Sequence, residues 1–274
     1  MSEGEVLDES NVAGRKPVTP SALARDLRKL GLRPGLTVIV HTSLSRLGWV
    51  PGGAQGVIEA LLSVLTDDGT LVMPTHTGHL TDPSSWVAPP VPKAWWKTIR
   101  REMPPYDRAL TPSRQMGVVA ETFRKHPNAR RSAHPHVSFA AIGPNAERVV
   151  GEHPLGHMFG ERSPLARLYD LDAHVLLAGV THANNTCIHL GETRAEFPTK
   201  ERVEEGAPMI VDGKRRWVTF EELRPVDDDF GDLGDDFALT GRERRGPLGW
   251  GEGRLMRVRE IVDFALTWLA THRR

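Results

Sequence analysis

Two short runs of β-branched and aliphatic residues, Leu36–Val40 and Thr70–Met73, bracket a helical pattern with Val57, Ile58, Leu61, Leu62 and Leu65 on one face. Strand, helix and strand in that order form a βαβ unit, two parallel strands joined by a crossover helix. Parallel strands are stable only when helices cover both faces of their sheet, so the pattern commits the chain to an α/β fold. The connection 41–56, HTSLSRLGWVPGGAQG, then lies at the carboxyl end of the first strand, where α/β proteins tend to place their chemistry.

Other segments fill in around this unit. Thr19-Pro20 predicts a helix start, Leu23, Leu27 and Leu30 its buried stripe, and Gly31 its stop. Gly117–Phe123 reads as a helix. Val137–Ile142 reads as a strand broken by Gly143-Pro144-Asn145. After Pro198, Pro208–Val211 and Arg215–Phe220 flank Asp212-Gly213, a hairpin signal. An acidic stretch follows at 226–237, expected as a solvated loop partly anchored by Phe230, Leu233 and Phe237. The Gly-rich segment 246–253 is expected to lead into a long last helix carrying Leu255, Val258, Ile261, Val262, Leu266 and Leu269. Residues 76–113, rich in Pro, Trp and His, show no regular period, and a loop that long is often functional. The polar residues 1–16 are expected to be a flexible leader. The rest, 17–274, is expected to form one domain with a hairpin and acidic subregion at about 199–245.

Charge and composition narrow the function classes. Lys plus Arg and Asp plus Glu balance at 35 each, so the chain as a whole advertises neither nucleic acid nor a membrane surface as partner. No apolar run is long enough to span a bilayer, and the first residues do not resemble a secretory signal. A single cysteine, Cys187, cannot form an intramolecular disulfide. A cytoplasmic location is the expectation.

The chemistry concentrates in VLLAGVTHANNTCIHLGE, residues 175–192. The apolar run reads as a buried strand, Thr181–Asn185 as a polar corner, and Thr186 as the opening of a helix that carries His189 and Glu192. Residues three apart on a helix share a face, so an imidazole and a carboxylate would meet just past a strand end. A carboxylate fixes the tautomer of its histidine and raises its basicity, which suits proton abstraction near neutral pH. The plain alternative is a helix-surface pair with no function. In the loop after the first strand, Ser43, Ser45, Arg46, Gly52, Gly53 and Ala54 offer hydroxyls, amides and a cation suited to an anion, or an ordinary helix cap. Thr75, just beyond the second strand, offers a hydroxyl to a carbonyl or to its own turn. The pairs His76/His79, His134/His136 and His153/His157 raise metal ligation, but neither H-E-x-x-H nor a cysteine cluster supports it, and no metal is expected. Cys187 is either a thiol activated by a helix start or, more simply, buried filler.

Taken together, VHTSLSRLGWVPGGAQGVIEALLSVLTDDGTLVMPTHTG, LTPSRQMGVVAETFRKHPNARRSAHPHVSFAAIGPNA, SPLARLYDLDAHVLLAGVTHANNTCIHLGE, DDDFGDLGDDF and GRLMRVREIVDFALTWL resemble the aminoglycoside 3-N-acetyltransferase family over about residues 18–272. The resemblance implies acetylation of the 3-amino group of aminoglycoside antibiotics, hence antibiotic resistance, with acetyl-CoA as cosubstrate. It implies a mixed central sheet flanked by helices with a smaller β-containing region, distinct from the common N-acetyltransferase superfamily. The family's H-L-x-E motif falls on His189 and Glu192, the catalytic pair, and its M-P-[TS] hydroxyl on Thr75. Its CoA-contacting region falls on Ser43, Leu44, Ser45, Arg46, Gly52, Gly53 and Ala54, with Ser113 and Met116 near the pantetheine. Its antibiotic-holding part falls on Asp228, Asp229 and Asp232, with Glu192 beside them. Gly191 stands where a small residue, often Ala, is common, a departure expected to be harmless. The insert 79–110, with Trp86, Trp95 and Trp96, is expected to border the acceptor cleft. A homodimer is compatible with this reading. Three rivals remain open on the residues: transfer to a different amine, a metal-dependent hydrolase, and a non-catalytic acyl-CoA-binding protein.

Overall fold

The computed structural model describes residues 12–87 and 89–273. Most of the expected leader, 1–11, lies outside the described residues. Its last part is tied down: the Trp250 indole donates to the Lys16 carbonyl at 3.0 Å, and the Arg15 guanidinium stands over the same ring.

A seven-stranded mixed sheet forms the centre. Its strands are β1 (Thr37–Thr42), β2 (Thr70–Pro74), β3 (Arg130–Arg131), β4 (Phe139–Ile142), β5 (His174–Ala178), β8 (Arg244–Leu248) and β9 (Gly251–Arg257). They lie in the order β3-β4-β2-β1-β5-β9-β8. β2, β1 and β5 run parallel, and every other pairing is antiparallel. The strands β6 (Arg202–Val211) and β7 (Lys214–Leu223) form a separate two-stranded sheet. Asp212 and Gly213 both have positive φ, 50° and 71°, which the two-residue turn between right-twisted strands requires.

The parallel centre follows from side-chain alternation. Val38, Val40, Leu71, Met73 and Leu176 point to one face of the sheet. There they meet α1 (Pro20–Leu30), α3 (Gly53–Leu65) and α5 (Gly117–Phe123), with the short α2 (Leu44–Leu47) and α4 (Trp96–Glu102) in the intervening connections. Ile39, Val72, Val175 and Leu177 point to the other face. They pack against α6 (Ala146–Val150), α7 (Pro164–Asp170), α8 (Ile188–Arg194), α9 (Phe230–Ala238) and α10 (Val258–His272). Thr19 caps α1 by accepting from the Ala22 amide, and Gly31 ends it at φ 115°.

Three expectations change. The Gly-rich segment 246–253 is a β-hairpin at the sheet edge, and Leu255 belongs to β9, not to the last helix. Glycines and arginines at the edge hide the alternation that marks a buried strand. The acidic stretch is largely helical: Phe230, Leu233 and Phe237 lie three and four apart and bury one face of α9, while its aspartates face outward. The insert folds as short turns plus α4 and packs on the separate hairpin. Arg215 of β7 donates to the Met103 and Arg100 carbonyls, and the Tyr106 amide donates to the Pro208 carbonyl. Among the described residues no helix is long and apolar enough to cross a membrane.

Candidate active site

The carboxyl ends of β2, β1 and β5 lie side by side, and each carries an imidazole to the same place. His41 is on β1, His76 lies two residues past β2, and His182 lies in the turn after β5. His189 follows on α8. It is buried, with 10% of its side chain exposed, and its Nδ1 is 2.7 Å from Glu192 Oε2. A carboxylate only accepts, so Nδ1 carries the hydrogen and Nε2 keeps its lone pair. Among the described residues the hydrogen bond of the ring is the one through Nδ1, which leaves Nε2 without a partner. Phe159 stacks on one side of the ring, and Phe230 packs beside it at 4.7 Å.

Glu192 is fully buried but not short of donors. Its Oε1 accepts from the Val226 amide at 3.0 Å and from Arg273 Nη1 at 2.5 Å. Arg273 in turn forks onto both oxygens of Asp229, at 2.8 and 2.6 Å. Burial of Arg273 works against its charge, but the bonds to Asp229 and Glu192 outweigh it and hold the guanidinium above its ordinary pKa.

His41 and His76 are neutral. Burial, with smaller contributions from His182 and His189, lowers the pKa of His41 to about 3. Burial also takes His76 to about 3, against the bond of its Nδ1 to the Ser138 carbonyl and assisted by His189 and His41. The other histidine pairs serve the scaffold. His134 Nε2 donates to Glu222, His136 Nε2 to the Gly206 carbonyl, and His153 Nε2 to the Met158 carbonyl. Among the described residues no three His, Cys, Asp or Glu side chains converge as metal ligands. Burial pushes the Cys187 thiol far up, which suits filler and not a nucleophile.

Three expected site residues already have partners within the chain. The Thr75 hydroxyl is fully buried, 3.1 Å from both Ser138 Oγ and Arg131 Nε, and so belongs to an internal cluster. Arg131 also donates to the Thr75 and Thr111 carbonyls and so pins the chain leading into His76. Ser113 spends its hydroxyl and its amide on Glu121, which Arg124 holds through both oxygens. Asp229 is engaged by Arg273, whereas Asp228 and Asp232 are exposed.

The loop after β1 begins beside the site. The Ser43 amide donates to the Ala178 carbonyl at 3.0 Å, fastening the loop to β5, and the Ser43 and Ser45 hydroxyls are 3.2 Å apart. Ser45 and Arg46 are exposed. Gly52 caps α3 and Gly53 opens it. The Gly53 amide donates to the Val50 carbonyl at 2.8 Å, and a side chain added at Gly53 would meet open space. Leu44 and Met116 pack partly on the core beneath, and Gly117 passes close to the Thr42 carbonyl, bringing segment 113–117 to the same loop.

Gly191 is a requirement of packing in this chain. A Cβ there would lie 2.7 Å from Ala265 Cβ and 2.8 Å from the Val262 carbonyl of α10. The missing side chain lets α8 sit directly against α10. Sequence reasoning passed over Arg273, Phe159 and Arg131. Nothing local marks them, since each acts across a long sequence separation.

The family model for aminoglycoside 3-N-acetyltransferase matches residues 39–270. The chain is 43% identical to the SPbeta prophage-derived aminoglycoside N(3')-acetyltransferase-like protein YokD of Bacillus subtilis, with 92% of each chain covered. The crystal structure of YokD superposes with a TM-score of 0.91 over 94% of this chain and 95% of that one. Aminoglycoside N(3)-acetyltransferase VII of Streptomyces paromomycinus is 36% identical, again with 92% of each covered. The binary complex of AAC-IIIb with CoASH gives a TM-score of 0.83 at 29% identity, covering 93% and 97%. Mixed sheet, small second sheet and these likenesses over nearly the whole length agree: the chain belongs to the aminoglycoside 3-N-acetyltransferase family.

Proposed function

We propose that this chain transfers the acetyl group of acetyl-CoA to the 3-amino group of an aminoglycoside, with His189 as the proton acceptor. One observation carries the reading: Nδ1–H of a clamped imidazole is 2.7 Å from a buried carboxylate, which leaves Nε2 unpartnered at the strand ends. Family membership and the CoASH-bound relative support the cosubstrate, and the named activity of the Streptomyces relative supports the acceptor.

The residues fit such a cosubstrate. Ser43, Leu44, Ser45, Arg46, Gly52, Gly53 and Ala54 would hold it, with Met116 beneath, because an exposed guanidinium and hydroxyl beside uncrowded glycine backbone suit phosphate charges. When bound, acetyl-CoA supplies an acyl group activated as a thioester. His189 Nε2 takes a proton from the attacking nitrogen, and Glu192 offsets the charge of the imidazolium. As the carbon–nitrogen bond forms and the carbon–sulfur bond breaks, the proton on Nε2 is available to the departing thiolate. No acyl-enzyme is required. Asp228 and Asp232, both exposed, would attract and orient the polycation. Thr75 contributes through the Arg131–Ser138 cluster that sets the backbone before His76.

The test is thiol release from acetyl-CoA across an aminoglycoside panel, with the acetylated nitrogen mapped. His189→Ala should lower turnover about 100-fold or more, the scale for losing a positioned base, with little change in antibiotic affinity. Near-full activity in that variant removes His189 from the chemistry. Turnover confined to other amines removes the antibiotic as substrate.

A further inference from the structure

Resting on the reading of His189 as proton acceptor, we propose that Arg273 is a positioning residue for the dyad. Shared between Glu192 and Asp229, its guanidinium offsets buried negative charge that would otherwise draw a proton onto His189 before the substrate arrives.

The geometry is specific. Arg273 leaves the helical path directly after α10 and keeps 9% of its side chain exposed. Each guanidinium nitrogen has an acceptor. Nε and Nη2 fork onto Asp229, Nη2 also reaches the Val226 carbonyl, and Nη1 takes Glu192 Oε1. Phe197 and Phe230 flank its plane at 5.2 and 6.0 Å. A latch joining α10 to α9 would need Asp229 alone. Arg273 instead also takes the oxygen of Glu192 that His189 leaves free.

The charge count gives this contact its consequence. Two carboxylates and one guanidinium leave one net negative charge beside the imidazole, and a proton arriving on His189 cancels it. Without the guanidinium, buried Glu192 would stand against the ring uncompensated, with the part-exposed Asp229 behind it also unpaired. Among the described residues no other cation pairs with Glu192 or Asp229. His41 and His76 are neutral, and His182 is bound to Glu243, which Arg245 also holds. Opposite charges at such distances govern protonation far more strongly in a buried site than in water.

The experiment follows the His189 ring by NMR and kcat/KM against pH in the same proteins: wild type, Arg273→Met, Arg273→Lys and Asp229→Asn. Arg273→Met should move the ring titration up by about one pH unit, the lower end of the effect of a close opposite charge. Arg273→Lys should fall between it and wild type. Asp229→Asn should move the titration down, because the guanidinium then serves Glu192 alone. The acid limb of the rate profile should follow in each case. If Arg273→Met and Asp229→Asn leave the ring titration unmoved, or move it in the same direction, the proposal is overturned. A ring that shifts as expected beside an unmoved rate profile upholds the charge coupling and overturns His189 as the base. Should Arg273→Met fail to fold, the near-isosteric Asp229→Asn and the charge-preserving Arg273→Lys still decide by the direction of their shifts.

Discussion

Phe159 lies flat against His189, with ring centroids 4.4 Å apart and planes 6° from parallel. Phe230 closes the ring from another side. An imidazole held between two phenyl groups keeps Nδ1 on Glu192 and directs Nε2 one way. Phe159 is itself positioned from a distance. The loop before it is fastened by the Gly156 and Met158 amides, which donate to Glu222 of β7 at 2.8 and 3.0 Å. The small hairpin, remote in sequence, therefore sets one wall of the site.

Replacing that wall should separate catalysis from binding. Phe159→Ala is expected to lower kcat by about 10-fold or more, because small misplacements of a reacting group are costly. It should also lower stability by about 3 kcal/mol, as losing a buried aromatic does. Steady-state kinetics and urea denaturation check both. Unchanged kcat would show that the stacking does not orient the ring.

Gly191→Ala adds one methyl where Ala265 and the Val262 carbonyl already stand. The cost should be about 1–3 kcal/mol, the range for overpacking a filled core. Ala265→Gly in the same chain should recover part of it, since only one of the two close contacts is a side chain. Urea midpoints of the single and double variants decide.

Acid should unfold this protein early. His41, His76, His134 and His136 ionise near 3 when folded, chiefly because burial disfavours the charged ring, against 6.5 for the free side chain. Between those values the unfolded chain binds more protons. Stability is therefore whole above pH 6.5 and falls as pH drops, by up to about 1.4 kcal/mol per pH unit for each group. The carboxyls of Glu205 and Glu222, raised by burial, act in the opposite sense but are two groups against four. The urea midpoint should be markedly lower at pH 5.5 than at pH 7.5. A midpoint that does not fall would mean these rings are not buried neutral.

The acidic surface of α9 and its approach should matter for one ligand only. Asp228→Asn and Asp232→Asn are expected to raise the aminoglycoside KM, with an effect that shrinks as salt screens the field. The acetyl-CoA KM should stay level. A change confined to acetyl-CoA would place the two ligands the other way round.

Where the determining interactions are local, the sequence by itself decided the outcome. The 3.6-residue stripe of Leu23, Leu27 and Leu30, the Thr19 cap, the Asp212-Gly213 turn and the apolar runs around Val38, Leu71 and Leu176 all encode their elements within a few residues. The three-residue spacing of His189 and Glu192 likewise produced their contact as soon as a helix formed. Tertiary structure alone decided the rest. It seated Phe159 on His189, brought Arg273 to Glu192 across 81 residues, buried the Thr75 hydroxyl under Arg131 and left no room for a side chain at Gly191. These contacts depend on how separate layers come together. Side-chain periodicity reports which face of an element is apolar, not which distant charge or ring will meet it there.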